Sequence, residues 1–134
     1  MAWPDEVRAL RPPIAATYEE TRRTVLEGGI VDPAIKALCA RYLDEDEEVL
    51  VHADDPQRFG EPERAALAWT HAVAWDDARA DDALWARLHA CFTEPELVEL
   101  GYFIAFTLGQ SHWLGTLAAP AAPGRSPRSP RDPG

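Results

Sequence analysis

Hydrophobic residues are densest between Phe92 and Leu117, where the chain reads FTEPELVELGYFIAFTLGQSHWLGTL. Thr93 and Glu96 have the spacing of a capping box, in which each side chain accepts a hydrogen bond from the other residue's backbone amide. This spacing predicts that a helix begins here. The apolar positions that follow occupy every helical face, so the pattern predicts a helix buried on all sides. Four polar residues interrupt it and argue against a membrane span: Glu99, Gln110, Ser111 and His112. We therefore expect an all-α bundle around a buried C-terminal helix.

Shorter amphipathic segments precede this helix and supply the rest of the predicted bundle. Asp32 and Asp81 stand where helix N-caps are expected, and Pro33 and Pro62 suit first helical turns. Apolar side chains recur every three to four residues and predict helices at 14–27, from 33 onward, at 47–53, at 61–75 and at 82–91. The total is five to six helices. We expect a loose lead-in at 1–13, one helical domain at 14–118 and a disordered Pro/Arg-rich tail at 119–134.

The net charge of the chain limits the classes of molecule that it is expected to bind. The 134 residues carry a net charge of −10, and the last fifteen hold three Arg and one Asp, so the remainder carries −12. An acidic body of this kind argues against binding to nucleic acid or to an anionic membrane surface. The first residues include two carboxylates and no apolar segment, which predicts the absence of a signal peptide and a cytoplasmic location.

The last three predicted helices resemble a known family. The carrying stretch is ERAALAWTHAVAWDDARADDALWARLHACFTEPELVELGYFIAFTLGQSHWLGTL, and GGIVDPAIKALC upstream is similar to the same family's lead-in. Together they resemble the carboxymuconolactone decarboxylase family, which includes the alkylhydroperoxidase D proteins, over residues 14–118. The resemblance implies an alkylhydroperoxidase D-like helical bundle that self-associates as a trimer or hexamer.

One feature of that family is missing from this chain. Its active peroxidases carry a Glu, a Cys-x-x-Cys pair and a downstream His, and the paired thiols reduce peroxide. No Cys-x-x-Cys occurs here, and the segment between Leu38 and Glu61 is shorter than the family's. Cys39 and Cys91 are far apart in sequence, and we expect two separate core cysteines, although they could meet in space. The resemblance therefore gives Cys39 no more than a residual redox role.

Polar residues within apolar helices are the remaining candidates for chemistry. His112 could transfer a proton, with Gln110 orienting it and His71 or Glu63 assisting. Each could equally be a hydrogen-bonded structural group, since buried polar atoms are normally paired. Neither His71 nor His112 has a His, Asp or Glu four residues away, and the cysteines fit no zinc spacing, so we expect no metal and no other cofactor.

Two classes of function follow from these candidates. The favoured one is an oligomeric or ligand-binding protein that has lost the redox pair and binds a small hydrophobic or carboxylated molecule. Its Trp residues could line a hydrophobic ligand pocket. Alternatively, they could pack in the core or in a subunit interface. The other is a cysteine-independent acid/base enzyme of the decarboxylase or lactone type, with Arg64 and Arg87 as the nearby cations for a carboxylate. Residual peroxidase activity through Cys39 is a third alternative.

Overall fold

The computed structural model describes residues 4–118, and within them every regular element is helical. The prediction of an all-α protein is confirmed, with seven α-helices against the five to six expected. A π-helical turn, Arg22–Leu26, continues the second helix, and a 3₁₀ turn, Asp77–Arg79, follows the fifth. The α-helices are α1 (Pro4–Ala9), α2 (Pro12–Thr21), α3 (Pro33–Leu43), α4 (Glu47–His52), α5 (Glu61–Trp75), α6 (Asp82–Cys91) and α7 (Glu94–Ala118).

Side-chain caps define where most of these helices begin. The carboxylates of Asp32, Asp46 and Asp81 accept hydrogen bonds from the first-turn amides of α3, α4 and α6. Thr93 and Glu96 form the predicted capping box, because Glu96 accepts from the Thr93 amide at 2.9 Å while the Thr93 hydroxyl accepts from the Glu96 amide at 3.3 Å. The local sequence thus determines where these helices begin, whereas tertiary packing determines how they are arranged.

The main core lies where α3, α5, α6 and α7 meet. Its most deeply buried aliphatic side chains are Leu88 of α6 and Leu100 and Ile104 of α7. Leu67 of α5 is equally buried in a second cluster with Leu38, Tyr42 and Val49. Helix α5 packs against α3, α6 and α7, so it occupies the middle of the bundle. None of the helices in residues 4–118 combines the length and the apolar character that crossing a bilayer would require.

The N-terminal segment corrects the expectation of a loose lead-in. Residues Pro4–Ala9 form α1, with proline in the first turn and two carboxylates beside it, which suits the positive end of the helix dipole. The helix is tied to the bundle by Arg8, whose side chain is buried and donates to Gln110 Oε1 on α7. The predicted disordered tail at 119–134 lies outside the described residues.

Helix α7 corrects the expectation of burial on every side. Leu97, Leu100 and Ile104 face the core, whereas Val98 and Tyr102 lie on the opposite face and are 74% and 53% exposed. Nearly all of the last two turns, from Ser111 onward, is exposed or half-buried. A 25-residue helix is about 37 Å long. The shorter helices pack on one side of it: α3 and α5 contact it, and Arg8 of α1 and Tyr18 of α2 contact its C-terminal half. Within a single chain, α7 is therefore an apolar helix with one uncovered face.

A buried ion pair joins α7 to α3. Lys36 Nζ lies 2.9 Å from Glu99 Oε2, and both side chains are almost fully buried. The Lys36 ammonium also donates to the carbonyls of Val25 and Gly28, while Glu99 accepts from the amides of Ile30 and Val31. Glu99, which interrupts the apolar pattern of α7, is therefore the residue that secures the loop before α3.

Replacing Glu99 with Gln should lower the free energy of unfolding by about 3–5 kcal/mol, because Lys36 stays buried without its counter-charge. Chemical denaturation followed by circular dichroism measures this. The control is Glu48→Gln, which removes an exposed pair with Arg58 and should change the same quantity by no more than about 1 kcal/mol. Equal effects of the two substitutions would contradict the assignment.

The pH dependence of stability gives a second readout of the same variant. Burial acts to raise the pKa of Glu99, but the amides of Val31 and Ile30 and the Lys36 ammonium outweigh it and lower that pKa. The stabilisation is therefore complete above the ordinary carboxyl pKa and is lost as the pH falls through the lower folded-state value. Wild-type stability should fall more steeply with acid than that of Glu99→Gln.

Candidate functional site

A cleft of about 470 Å³ opens among α3, α5, α6 and the turn that follows α4. Helix α5 supplies one wall with Arg64, Leu67, Ala68 and His71, whose i, i+3, i+4, i+7 spacing places them on one face. Tyr42 enters from α3, and Leu84 and Arg87 from α6. Because α5 rises about 1.5 Å per residue, Arg64 and His71 are separated by about 10 Å along the cleft. Two polar regions are thus joined by an apolar floor.

The first polar region is a tyrosine–histidine pair. The Tyr42 hydroxyl lies 2.8 Å from His71 Nδ1, and the Trp75 ring packs against both, with centroids 5.6 and 5.5 Å away. Burial raises the pKa of Tyr42 although Arg79 opposes it, so the hydroxyl keeps its proton at neutral pH. When this hydroxyl donates to Nδ1 of the neutral imidazole, the histidine proton is on Nε2.

The second polar region is a cluster of arginines. Glu61 links two of them, accepting from Arg87 Nε at 2.8 Å and pairing with an Arg64 terminal nitrogen at 3.0 Å. The Arg87 hydrogen bond is the main reason that the pKa of Glu61 is lowered. Arg79 lines the same cleft and pairs with Asp76. Three of the chain's 13 basic residues thus line this cleft, together with the carboxylates of Asp54 and Asp81. The guanidinium groups supply N–H donors that an anion could use.

The structure does not bring the predicted His112–Gln110 pair into this cleft. Gln110 uses its side-chain oxygen to accept from Arg8 at 2.6 Å, and His112 is exposed near the C-terminal end of α7. Residues two apart on a helix are rotated by about 200°, so these side chains leave α7 in opposite directions and Gln110 cannot orient His112. The interpretation of His112 as a polar group in apolar surroundings is wrong.

Glu63 and His71, the two residues predicted to assist His112, both lie on α5 but occupy different surroundings. Glu63 is half-buried in the first turn, and its carboxylate folds back beside Gly60, so that a Cβ there would lie 2.8 Å from Oε2. It does not line the cleft, whereas His71 does. Of the four residues predicted for acid/base chemistry, His71 is the one that lines this cleft.

Sequence reasoning missed Tyr42, Arg79 and Glu61 as parts of this site. Tyr42 is 29 residues from His71 and appears in the sequence only as one more apolar position of α3. Arg79 belongs to a 3₁₀ turn with no periodic pattern, and Glu61 reads as an ordinary first-turn carboxylate. Tertiary packing alone brings them together. A signal was present only for Arg64 and Arg87, as cations on largely apolar helices.

The two cysteines are free thiols on different helices. Cys39 is fully buried, and burial raises its pKa to about 11, although the Thr70 hydroxyl beside it acts in the opposite direction. Burial also raises the pKa of Cys91, which is half-buried on α6. Because the thiolate is the reactive form, Cys39 lacks both the access and the ionisation that peroxide reduction needs. Within residues 4–117, no three His, Cys, Asp or Glu side chains are grouped so that they could hold a metal ion.

Folded protein should therefore show one accessible thiol. Cys39 should react with Ellman's reagent at least about tenfold more slowly than Cys91, and both should react at once in denaturant. Cys39→Ser should leave the folded-state rate unchanged, and Cys91→Ser should remove it. Loss of a measurable peroxide-reducing activity in Cys39→Ser would contradict this assignment.

Comparison with protein-family models, with curated proteins and with solved structures gives no match for this chain. The family resemblance therefore rests on the sequence stretches quoted above.

Proposed function

We propose that this protein is a divergent carboxymuconolactone decarboxylase-like protein without the redox pair, and that it binds a small carboxylated molecule in the cleft between α3, α5 and α6. The observation that carries the proposal is the meeting of Arg64, Arg87 and the Tyr42–His71 pair around one cleft of about 470 Å³. That volume lies within the range of small-molecule sites, which combine an apolar lining with a few placed polar groups.

The arginines retain donors for a ligand. Arg87 uses Nε for Glu61, and Arg64 uses Nε for the Phe59 carbonyl and one terminal nitrogen for Glu61. Since a guanidinium has five N–H donors in a planar fork, each arginine has a terminal N–H group left for a carboxylate. Ala68 and Leu84 would contact the body of the ligand, and His71 Nε2 would hydrogen-bond a second polar group about 10 Å from the carboxylate.

Binding can be measured by titrating the protein with benzoate and with succinate while observing the Trp75 indole N–H by NMR, since this ring packs beside His71. Arg87→Gln should weaken binding at least about tenfold, because a bidentate partner of the carboxylate is lost. Arg58→Gln is the matched control, as Arg58 also pairs with a glutamate but lies outside the cleft. Unchanged affinity in Arg87→Gln would refute the proposal.

A second function, acid/base catalysis, is favoured by one observation in the same cleft. The 2.8 Å Tyr42–His71 contact gives a histidine with an oriented ring and a free Nε2, as a general acid/base requires. This role replaces the one predicted for His112. The two functions are separated by following the titrated carboxylates over time by NMR. A binding protein leaves them intact, whereas an enzyme converts one of them at a rate that His71→Gln abolishes and Tyr42→Phe reduces.

Self-association forms the other part of the proposal. Val98 and Tyr102 border an apolar groove whose walls are Trp69 and Trp85, two rings in edge contact at 5.3 Å. Glycine is required at position 101, because a Cβ there would lie 2.8 Å from the Trp69 ring. From Leu100 to Ala118 the helix has no charged residue, and Glu94 is the one carboxylate among the residues that line the groove. Little like charge therefore opposes the approach of a second copy to this face. Trimers or hexamers built on this face, in the cytoplasm where thiols remain reduced, are the proposed state.

Val98→Glu should convert the proposed trimer or hexamer to monomer, because it introduces a carboxylate into the uncovered face of α7. Size-exclusion chromatography with light scattering measures the mass. Val51→Glu is a closely matched control, since Val51 is a valine on α4 with 69% exposure, against 74% for Val98. A monomeric wild-type protein would contradict self-association and would leave the ligand proposal standing.

A further inference from the structure

Among the side chains of residues 4–117, Arg8 is a buried cation without a buried counter-charge. Only 6% of its side chain is exposed, and the one carboxylate within 4.0 Å of it in residues 4–117 is Asp5, whose side chain is 95% exposed and 3.5 Å away. Lys36, the other buried cation, has Glu99 at 2.9 Å with 13% exposure. Buried charges are normally paired, so this difference sets Arg8 apart from the rest of the core.

Apart from the exposed Asp5 carboxylate, which accepts from Arg8 Nη1 at 3.5 Å, the groups that contact Arg8 hold it in place without neutralising it. Its guanidinium carbon lies 3.6 Å from the centre of the Tyr18 ring, and one terminal nitrogen donates to Gln110 Oε1 at 2.6 Å. A ring face and an amide oxygen orient a planar cation, but neither carries a full negative charge. The guanidinium is therefore fixed in a partly desolvated position, as the anion-binding group of a preformed site would be.

A small apolar cavity lies directly beside this cation. It has a volume of about 240 Å³, and its lining includes Arg8 and Tyr18 together with Leu26, Phe106 and Leu114. Thr107, Gln110, Ser111 and Leu114 come from one face of α7, as their i, i+3, i+4, i+7 spacing requires. The cavity thus combines one cation, Arg8, with the hydroxyl groups of Tyr18, Thr107 and Ser111 and with hydrocarbon walls.

We propose that this cavity binds a small monocarboxylate with an apolar chain or ring. The carboxylate would pair with Arg8 and accept from the Thr107 or Ser111 hydroxyl, while the hydrocarbon part contacts Leu26, Phe106 and Leu114. A single guanidinium matches a single negative charge, and the volume is below the range of drug-sized ligands. The site has no lining residue in common with the cleft of the proposed function, so it stands independently of that function.

The Trp113 indole reports on this cavity, because its ring lies 5.9 Å from the Arg8 guanidinium. Titration of the full chain with hexanoate should shift the Trp113 indole N–H in NMR spectra, with a Kd of about 1 mM or tighter. Hexanol, which lacks the charge, should bind at least about tenfold more weakly. Arg8→Gln should abolish the shift, and Arg11→Gln, at an exposed arginine three positions on, should retain it.

A second variant keeps the test decisive if Arg8→Gln unfolds α1. Thr107→Leu leaves the cation in place and fills the cavity from α7, so it should also abolish the Trp113 shift. Absence of any shift in the wild type, or equal binding by Arg8→Gln, would overturn the proposal and leave Arg8 as a tether for α1. If only the Trp75 signal responds to the ligand, the cavity beside Arg8 is not a binding site and the cleft proposal is supported. If only the Trp113 signal responds, the cavity is supported and the cleft is not.

Discussion

The buried contact between Lys36 and Glu99 is the interaction on which the arrangement of the other helices depends. It joins α3 to α7, and through the amides of Ile30 and Val31 it also fixes the loop that leads into α3. Gly29 has a φ of 97°, and a Cβ there would lie 2.2 Å from the Glu99 carboxylate, so backbone conformation and space both require glycine. The Lys36–Glu99 ion pair, the conformation of the loop before α3 and the packing of α7 on α3 therefore depend on one another.

The cleft follows from this constraint because α3 contributes one side of it. With α3 held against α7, its packing on α5 brings Tyr42 to His71, and Glu61 then links α5 to α6 through Arg87. Tyr42, His71 and Arg87 are thus each held by a partner on a neighbouring helix, and Arg64 by Glu61 in the first turn of its own helix. A ligand would meet preoriented donors and would pay less of the ordering entropy that weakens binding to flexible sites.

Local signals made most of the fold predictable. Asp32, Asp81 and the Thr93–Glu96 capping box mark helix starts that the structure reproduces, because capping depends on residues close in sequence. Helix α1 was not predicted, since six residues beside several prolines give no measurable periodicity. Its stability depends on the contact of Arg8 with α7, 102 positions away.

The candidate site was far less predictable, because it depends on which helix faces which. His71 was identified as a polar residue on an apolar helix, but nothing in the sequence connects it with Tyr42. The Gln110–His112 pair shows the reverse error. Two residues close in sequence were assigned one task, although a helix turns them to opposite sides. The residue type was informative, whereas the partner required the three-dimensional structure.

The interface between α3 and α5 contains both a cysteine and a histidine, and the two differ in their access to solvent. Two polar contacts cross it. Cys39 meets the Thr70 hydroxyl where both residues are fully buried. Tyr42, three residues further along α3, meets His71, the residue after Thr70, at the edge of the cleft. Burial leaves the first contact protonated and closed to solvent, while the second keeps an imidazole nitrogen directed by its partner and accessible from the cleft. The same pair of helices therefore has a thiol enclosed in the core and an oriented histidine at the edge of the cleft.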